Sequence, residues 1–230
     1  LWFTSDNGPR PPRFKNEAAR SQATGGLAGW KGNLWEGGIR VPSMIEWPAR
    51  IKKPEISNVP CGTIDIYPTV LQITGAKVTH QPHLDGISLL PLIDGEMKKR
   101  SRPMGFWTYP AKGHPKRSTQ ILLDLQSKQT SEKPNPAGPV PDAKVASLEK
   151  KYSKNELPGA AAWIDGDYKL LKKISKKDGE EYTLYHLGQD HAEKHDLAGD
   201  DPGRVKKMKS ELLDWQKSVV DSLNGKDYVD

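Results

Sequence analysis

The chain opens on a short strand pattern that runs directly into a polar turn. Residues 1–4 are apolar, aromatic and β-prone, and the turn signal Ser5-Asp6-Asn7-Gly8-Pro9 follows at once. A short apolar strand that ends in a polar loop is typical of α/β proteins, whose functional groups lie beyond the carboxyl ends of the strands. We therefore predict an α/β fold with chemically important side chains in this turn.

The next segments continue the alternation of strands and helices. A glycine-rich stretch at 30–40 precedes an apolar strand pattern at 41–47. Apolar residues at helical spacing across 64–74 predict a helix, and Gly75 suits its carboxyl-terminal cap. A further strand is predicted at 106–109.

The carboxy-terminal part has the pattern of a small antiparallel sheet. Asp165-Gly166 separates the β-like runs 160–164 and 168–174, which is a strong hairpin signal, and 182–187 supplies a third strand. Asp201-Pro202 then predicts the start of a helix. Its predicted apolar face consists of Val205, Met208, Leu212, Trp215 and Val219. We expect this helix to pack on the sheet.

Composition changes in the middle of the chain. Pro, Lys, Ser and Asn dominate residues 111–158, with one short helical pattern at 119–126. We interpret 111–158 as a surface insertion or linker. The predicted domains are then the α/β part at 1–110, this insertion, and an α+β subdomain at 159–230.

Charge and cysteine content restrict the classes of function. The net charge is +6 and the isoelectric point about 9.2, but basic and acidic residues are interspersed, so we predict no nucleic-acid partner. No run of 18 apolar residues occurs, and no membrane span is predicted. Cys61 is the only cysteine, so an internal disulfide is excluded and cysteine usage does not reveal the compartment.

An ordered set of motifs resembles one enzyme family. Four segments carry the resemblance: Phe3 to Gly8, Lys31 to Pro42 with its Trp-Glu-Gly-Gly-Ile-Arg-Val-Pro run, Asp65 to Thr69, and Leu84 to Leu89. Their order and spacing resemble the formylglycine-dependent sulfatases of the arylsulfatase and N-acetylgalactosamine-6-sulfatase-like group, in their carboxy-terminal half. The tail, with Gly166 to Leu170 and Leu184 to Leu187, resembles that family's closing subdomain. The implied fold is an alkaline-phosphatase-like sulfatase fold, a partial sheet with helices, plus a small antiparallel sheet packed by one helix.

The resemblance implies roles for three residues. Asp6 and Asn7 match the pair that supplies oxygen ligands to Ca²⁺, a hard cation that takes carboxylate and amide oxygens. Lys31 matches the lysine that binds sulfate, and an ammonium group can hold sulfate oxygens in the transition state. The alternatives are an ordinary turn at Asp6-Asn7 and a surface lysine in a flexible loop.

The chain also departs from the family. The nucleophile arises from a Cys/Ser-x-Pro-x-Arg motif, which this sequence lacks, and Cys61 is followed by Gly-Thr-Ile. We expect formylglycine, and the acidic pair that completes the calcium site, in a missing amino-terminal half of the same enzyme. The isolated chain is therefore predicted to be inactive, since binding groups cannot replace a covalent catalyst.

Several other polar residues are interpreted as structural. Glu36 and Arg40, four positions apart, are predicted to pair with each other or with backbone carbonyls and so to hold the lysine loop. His186, His191 and His195 resemble metal spacing, but we expect a solvated connection before the last helix. Cys61 is expected to be a small, partly buried residue.

Two further functions stay open. One is a non-catalytic module that binds sulfated glycans through Lys31 and the basic insertion. The other is a phosphoryl-transfer enzyme of the alkaline phosphatase superfamily, although Asp6-Asn7 in place of an Asp-His pair argues against it. The resemblance implies a sulfated carbohydrate or aryl sulfate as substrate, and export to the periplasm, lysosome or outside of the cell.

Overall fold

Two antiparallel sheets organise the chain in the computed structural model, which describes residues 1–10, 22–109, 152–175 and 179–228. The smaller sheet pairs β1 (Trp2–Thr4) with β2 (Ser43–Ile45), so that Phe3 lies opposite Met44. Both predicted strands are confirmed, although β2 is shorter than the apolar run that predicted it. The turn after β1 leads away from this sheet.

Helices of one to three turns connect the two sheets. α1 spans Glu36–Ile39, α2 spans Ile66–Thr74 after the 3₁₀ turn Thr63–Asp65, and α3 spans Leu90–Ile93. The predicted helix at 64–74 is confirmed, and Gly75 follows it in the left-handed conformation with φ 67°. A glycine suits that position because it has no Cβ to strain.

The larger sheet is a four-stranded meander. Its strands are β3 (Met104–Trp107), β4 (Ala161–Asp165), β5 (Tyr168–Ser175) and β6 (Gly179–His186), each antiparallel to the next. The Asp165-Gly166 hairpin is confirmed, with Gly166 at φ 59°. β3 starts and ends two residues earlier than predicted. β3 belongs to the predicted domain 1–110 but pairs with β4 of the predicted subdomain 159–230, so both share one sheet. The domain boundary itself stays a prediction.

Each face of the larger sheet packs against a different part of the chain. On one face, Leu170 and Leu184 contact Met208 and Leu212 of α4, which spans Pro202–Leu223. The Asp201 carboxylate caps α4 by accepting a hydrogen bond from the Arg204 amide at 2.9 Å, as predicted.

The predicted apolar face of α4 is confirmed at Met208 and Leu212, which are buried in the core, and at Val205 and Trp215, which pack against it. The buried side chains follow a four-residue spacing and are Met208, Leu212, Gln216 and Val220, with Val219 only half-buried. The prediction missed Gln216 and Val220, because the polar Gln216 interrupts the hydrophobic period at that end of the helix.

The opposite face of the sheet leads to the predicted site. Ala162, Leu171 and Tyr185 form a buried cluster there, and Leu34 and Trp35 pack against it. The glycine-rich stretch is therefore anchored on the carboxy-terminal sheet. The helical pattern at 119–126 lies outside the described residues, as does all of the predicted insertion before 152.

Candidate functional site

The turn after β1 crosses directly over α1. The Ser5 hydroxyl donates to the Asn7 carbonyl at 2.9 Å, and the Gly8 amide donates to the Gly38 carbonyl at 2.9 Å. A Cβ at Gly8 would lie far inside van der Waals contact with the Gly37 carbonyl. Only a glycine lets the chain pass this closely, and the crossing sets where Asp6 and Asn7 lie.

Close approach also explains the glycine pair of α1. A Cβ on Gly37 would lie 2.5 Å from the Gly29 oxygen and 2.6 Å from the Ala28 oxygen. The Gly37 amide donates to the same Ala28 carbonyl at 2.7 Å. Close approach and not backbone conformation requires glycine here, because neither Gly37 nor Gly38 has a positive φ.

The Lys31 loop is joined to the same crossing. The Lys31 amide donates to the Pro9 carbonyl at 3.0 Å, which ties the lysine to the turn that carries Asp6 and Asn7. Its loop closes through the Asn33 amide, 2.9 Å from the Trp30 carbonyl. The Lys31 side chain is exposed. The structure thus brings the backbones of the three predicted site residues together.

Asp6 and Asn7 line a cleft of about 1900 Å³ beside the β1–β2 sheet. Asp167 and His191 of the carboxy-terminal part line the same cleft, whereas Lys31 does not. Asp6 is exposed and Asn7 is half-buried, so both can offer an oxygen to a cation in the cleft.

The donor set fits part of a calcium site. One carboxylate and one amide oxygen on neighbouring residues are ligand types that Ca²⁺ takes, but the ion needs six to eight oxygens. Within the described ranges, no three His, Cys, Asp or Glu side chains gather in a way that could hold a metal. Asp6 and Asn7 can therefore contribute ligands, and others must complete the shell.

A buried charge cluster lies directly behind α1. The Lys169 Nζ is 3.0 Å from Glu36 Oε1 and 2.8 Å from Glu193 Oε1, and the Glu36 amide donates to Glu193 Oε2 at 2.6 Å. All three side chains are buried. We call Glu36, Lys169 and Glu193 the α1 charge cluster.

The α1 charge cluster changes the interpretation of Glu36. The predicted pair with Arg40 exists at 3.8 Å, but Arg40 is exposed and the buried partner of Glu36 is Lys169, 133 residues away. Sequence reasoning missed Lys169 and Glu193. The available signal was a lysine flanked by apolar residues in the buried strand β5.

Burial is the largest influence on the pKa of Glu193 in the α1 charge cluster. Desolvation raises the pKa of the Glu193 carboxyl above its usual range, and the nearby Lys169 ammonium opposes that increase. A neutral Glu193 would leave Lys169 and Glu36 as the buried pair, so the charge balance behind α1 depends on pH.

Neither the lone cysteine nor the histidines assemble a site among the described residues. Cys61 is exposed rather than partly buried, yet desolvation of its sulfur and the Asp65 charge raise its pKa to about 11, which keeps the thiol protonated. The His186 ring stacks edge-on against Tyr168, with ring centroids 4.7 Å apart. His195 Nδ1 lies 3.5 Å from an Asp190 oxygen on the surface.

Known proteins resemble the chain in sequence. A family model described as N-sulphoglucosamine sulphohydrolase, C-terminal, matches residues 28–124. The steryl-sulfatase of Homo sapiens is 32% identical over 127 residues, which are 53% of this chain and 22% of that protein. The chain thus spans about a fifth of the length of the curated relatives it matches.

Solved structures resemble the chain in fold. A Bacteroides thetaiotaomicron protein solved in work on the metabolism of multiple glycosaminoglycans superposes with a TM-score of 0.60 at 20% identity, covering 95% of this chain and 38% of that one. A protein in complex with its substrate D-glucosamine-2-N,6-O-disulfate superposes with a TM-score of 0.50 at 18% identity, covering 85% and 31%.

Proposed function

We propose that this chain is part of a sulfatase with an alkaline-phosphatase-like α/β fold, and that the whole protein hydrolyses sulfate esters; the sequence relatives and the structural neighbours support this. The observation that carries the proposal is the crossing at α1. There the Gly8 and Lys31 amides hold the Asp6-Asn7 turn and the Lys31 loop in one hydrogen-bonded scaffold. A sulfate group between a cation and an ammonium group needs such a scaffold, because both must face the same anion.

Asp6 and Asn7 act as calcium ligands in this proposal. Both residues line the cleft, and the Ser5 hydroxyl holds their turn by its hydrogen bond to the Asn7 carbonyl. Bound Ca²⁺ would neutralise charge on the sulfate oxygens as the alcohol departs. The remaining ligands come from elsewhere in the protein.

Lys31 acts as the sulfate-binding group. Its exposed side chain follows Trp30 and precedes Gly32, whose φ of 92° lets the backbone turn sharply there. An ammonium group donates up to three hydrogen bonds and can follow the sulfate oxygens as charge shifts toward the leaving group. We propose that Lys31 binds the sulfate in the ground state and binds it more strongly in the transition state.

The nucleophile is assigned to an amino-terminal half of the same enzyme, as formylglycine. The proposal of such a partner is supported by large apolar side chains that are exposed in the described part. These are Phe3, Met44, Ile64, Tyr67, Val70 and Ile73. Phe3 lies opposite Met44 in the small sheet, and Tyr67, Val70 and Ile73 follow a three-residue spacing on α2, so each group forms an exposed apolar surface that another domain could cover. The chain alone is predicted to be inactive.

The proposed substrate is a sulfated carbohydrate, with an aryl sulfate as the simplest surrogate. Two structural relatives are described with glycosaminoglycans and with a disulfated glucosamine, while a curated relative is a steryl-sulfatase. The wide cleft beside Asp6 and Asn7 suits an extended polar ligand. Export from the cytoplasm follows from the same family proposal, and no helix in the described part is long and apolar enough to cross a bilayer.

The test is turnover by the full-length protein, matured so that formylglycine forms. We expect hydrolysis of an aryl sulfate, loss of activity on chelation with recovery on adding Ca²⁺, and a decrease of about 10²–10³-fold in kcat for Lys31→Ala, as when one transition-state donor is removed. Lys77→Ala, at another exposed lysine, is the matched control.

Three substrates separate the alternatives: a sulfated disaccharide, a steryl sulfate and an aryl phosphate. Faster turnover of the disaccharide supports the proposed substrate class. Retention of sulfated glycan without turnover would establish a binding module instead. Preference for the phosphate would identify a phosphoryl-transfer enzyme.

A further inference from the structure

We infer that Lys169 is a positioning residue for the proposed sulfatase site, and that it acts through the α1 charge cluster. The inference rests on the proposed function. The Lys169 ammonium group pairs with Glu36 and Glu193, which are not among the predicted ligand or sulfate-binding residues. It holds Glu36 at the start of α1, and α1 in turn carries the crossing that sets Asp6, Asn7 and Lys31 in place.

Burial makes the arrangement of the cluster specific. A buried ammonium group is stable only when it is paired, and Lys169 meets this need with two carboxylates at 3.0 and 2.8 Å. The two carboxylate oxygens of Glu193 have different partners. Oε1 pairs with the Lys169 ammonium group, and Oε2 accepts the hydrogen bond from the Glu36 amide. The side chain and backbone of Glu36 are thus both held from the carboxy-terminal subdomain.

The link from Glu36 to the site is short and continuous. Two residues after Glu36, the Gly38 carbonyl accepts the hydrogen bond from the Gly8 amide. One residue after Gly8, the Pro9 carbonyl accepts the hydrogen bond from the Lys31 amide. A shift of α1 therefore displaces both the calcium-ligand turn and the sulfate-binding loop.

The same strand provides a matched control. Lys172 is also fully buried in β5, but it lies on the opposite face, because side chains alternate along a strand. Its Nζ donates to the Leu157 carbonyl at 2.8 Å and pairs with Glu180 at 2.6 Å, away from α1. Removing either ammonium group leaves its oxygen partners unpaired and should lower stability. Of these two lysines, only Lys169 connects to the site.

The experiment compares Lys169→Met, Lys169→Arg and Lys172→Met in the full-length protein. Two readouts need no turnover: calorimetric affinity for Ca²⁺ and for inorganic sulfate, and hydrogen exchange at the Gly8 and Lys31 amides. The third readout is kcat and KM for an aryl sulfate, and the thermal midpoint monitors stability.

We expect Lys169→Met to weaken Ca²⁺ and sulfate binding by about 10–100-fold, as removal of a residue that orients metal ligands does, and to speed exchange at both amides. Lys172→Met should leave affinities and exchange near those of the parent at a similar loss of thermal midpoint. Lys169→Arg keeps the charge and should recover part of the affinity.

Equal effects of the two Met variants on binding and exchange would overturn the inference, because the cluster would then act through stability alone. If Lys169→Met does not fold, Glu193→Gln gives the same test, since it removes the charge and keeps an acceptor for the Glu36 amide. Failure of the proposed function is recognised separately, by unchanged turnover in Lys31→Ala. The exchange result at Gly8 and Lys31 decides the positioning role in either case.

Discussion

Removing the Asp65 carboxylate should be among the most destabilising single changes in the described part of the chain. This fully buried group accepts hydrogen bonds from the Gly62 and Ile87 amides, both at 2.8 Å. It also accepts two from the buried Arg100 guanidinium, at 2.7 and 2.9 Å. One side chain thus joins the start of α2 to two segments that follow it in the chain.

The expected magnitude follows from what Asp65→Ala leaves behind. An uncompensated buried Arg100 costs about 3–5 kcal/mol. Each of the two orphaned amides costs about 1–3 kcal/mol, reduced wherever water can enter. We expect a loss of at least about 4 kcal/mol in the free energy of unfolding, which is a large part of the roughly 5–15 kcal/mol that stabilises a typical domain.

Urea denaturation followed by tryptophan fluorescence measures this loss, provided the slope m is unchanged. Arg100→Met and the double variant complete a cycle. The double variant should lose less than the sum of the single changes, because it leaves no buried charge unpaired.

Asp94→Ala is the control, since its bidentate pair with Arg50 is exposed and should contribute little. A loss below about 1 kcal/mol, or strict additivity, would refute the reasoning.

Two further predictions concern α1 and its charge cluster. Gly37→Ala should lower the thermal midpoint sharply, because its Cβ would meet the Gly29 and Ala28 oxygens, whereas Gly62→Ala should be tolerated, since its nearest neighbours lie 3.5 Å away or more. The raised pKa of Glu193 means that its contribution to stability is complete below the ordinary value of 4.5 and is lost as pH rises through the folded-state pKa. Glu193→Gln should remove that decrease from thermal unfolding measured across pH.

Each of these two predictions would be contradicted by a specific result. Equal midpoints for the two alanine variants would mean that α1 can move away from its neighbours at little cost. A pH dependence that is the same with and without the Glu193 carboxyl would show that another group causes it.

Local signals in the sequence were sufficient for several elements. The Asp165-Gly166 hairpin, the Asp201 cap and the Gly75 helix end were all predicted, because each depends on the conformational preferences of a few consecutive residues. The order of the sulfatase-like motifs likewise predicted the resemblance to sulfatases, which the sequence and structure comparisons bear out. The roles of Asp6, Asn7 and Lys31 stay predictions that the tests above address.

Only the tertiary structure determined the partners of Glu36. Lys169 and Glu193 lie 133 and 157 residues away in sequence, and nothing in the local pattern connects them. The sequence predicted instead the pair with Arg40, four positions away, which leaves Arg40 exposed. Pairing across such distances is decided when the β5 strand packs against α1, because a buried charge is stable only beside the opposite charges that packing brings to it.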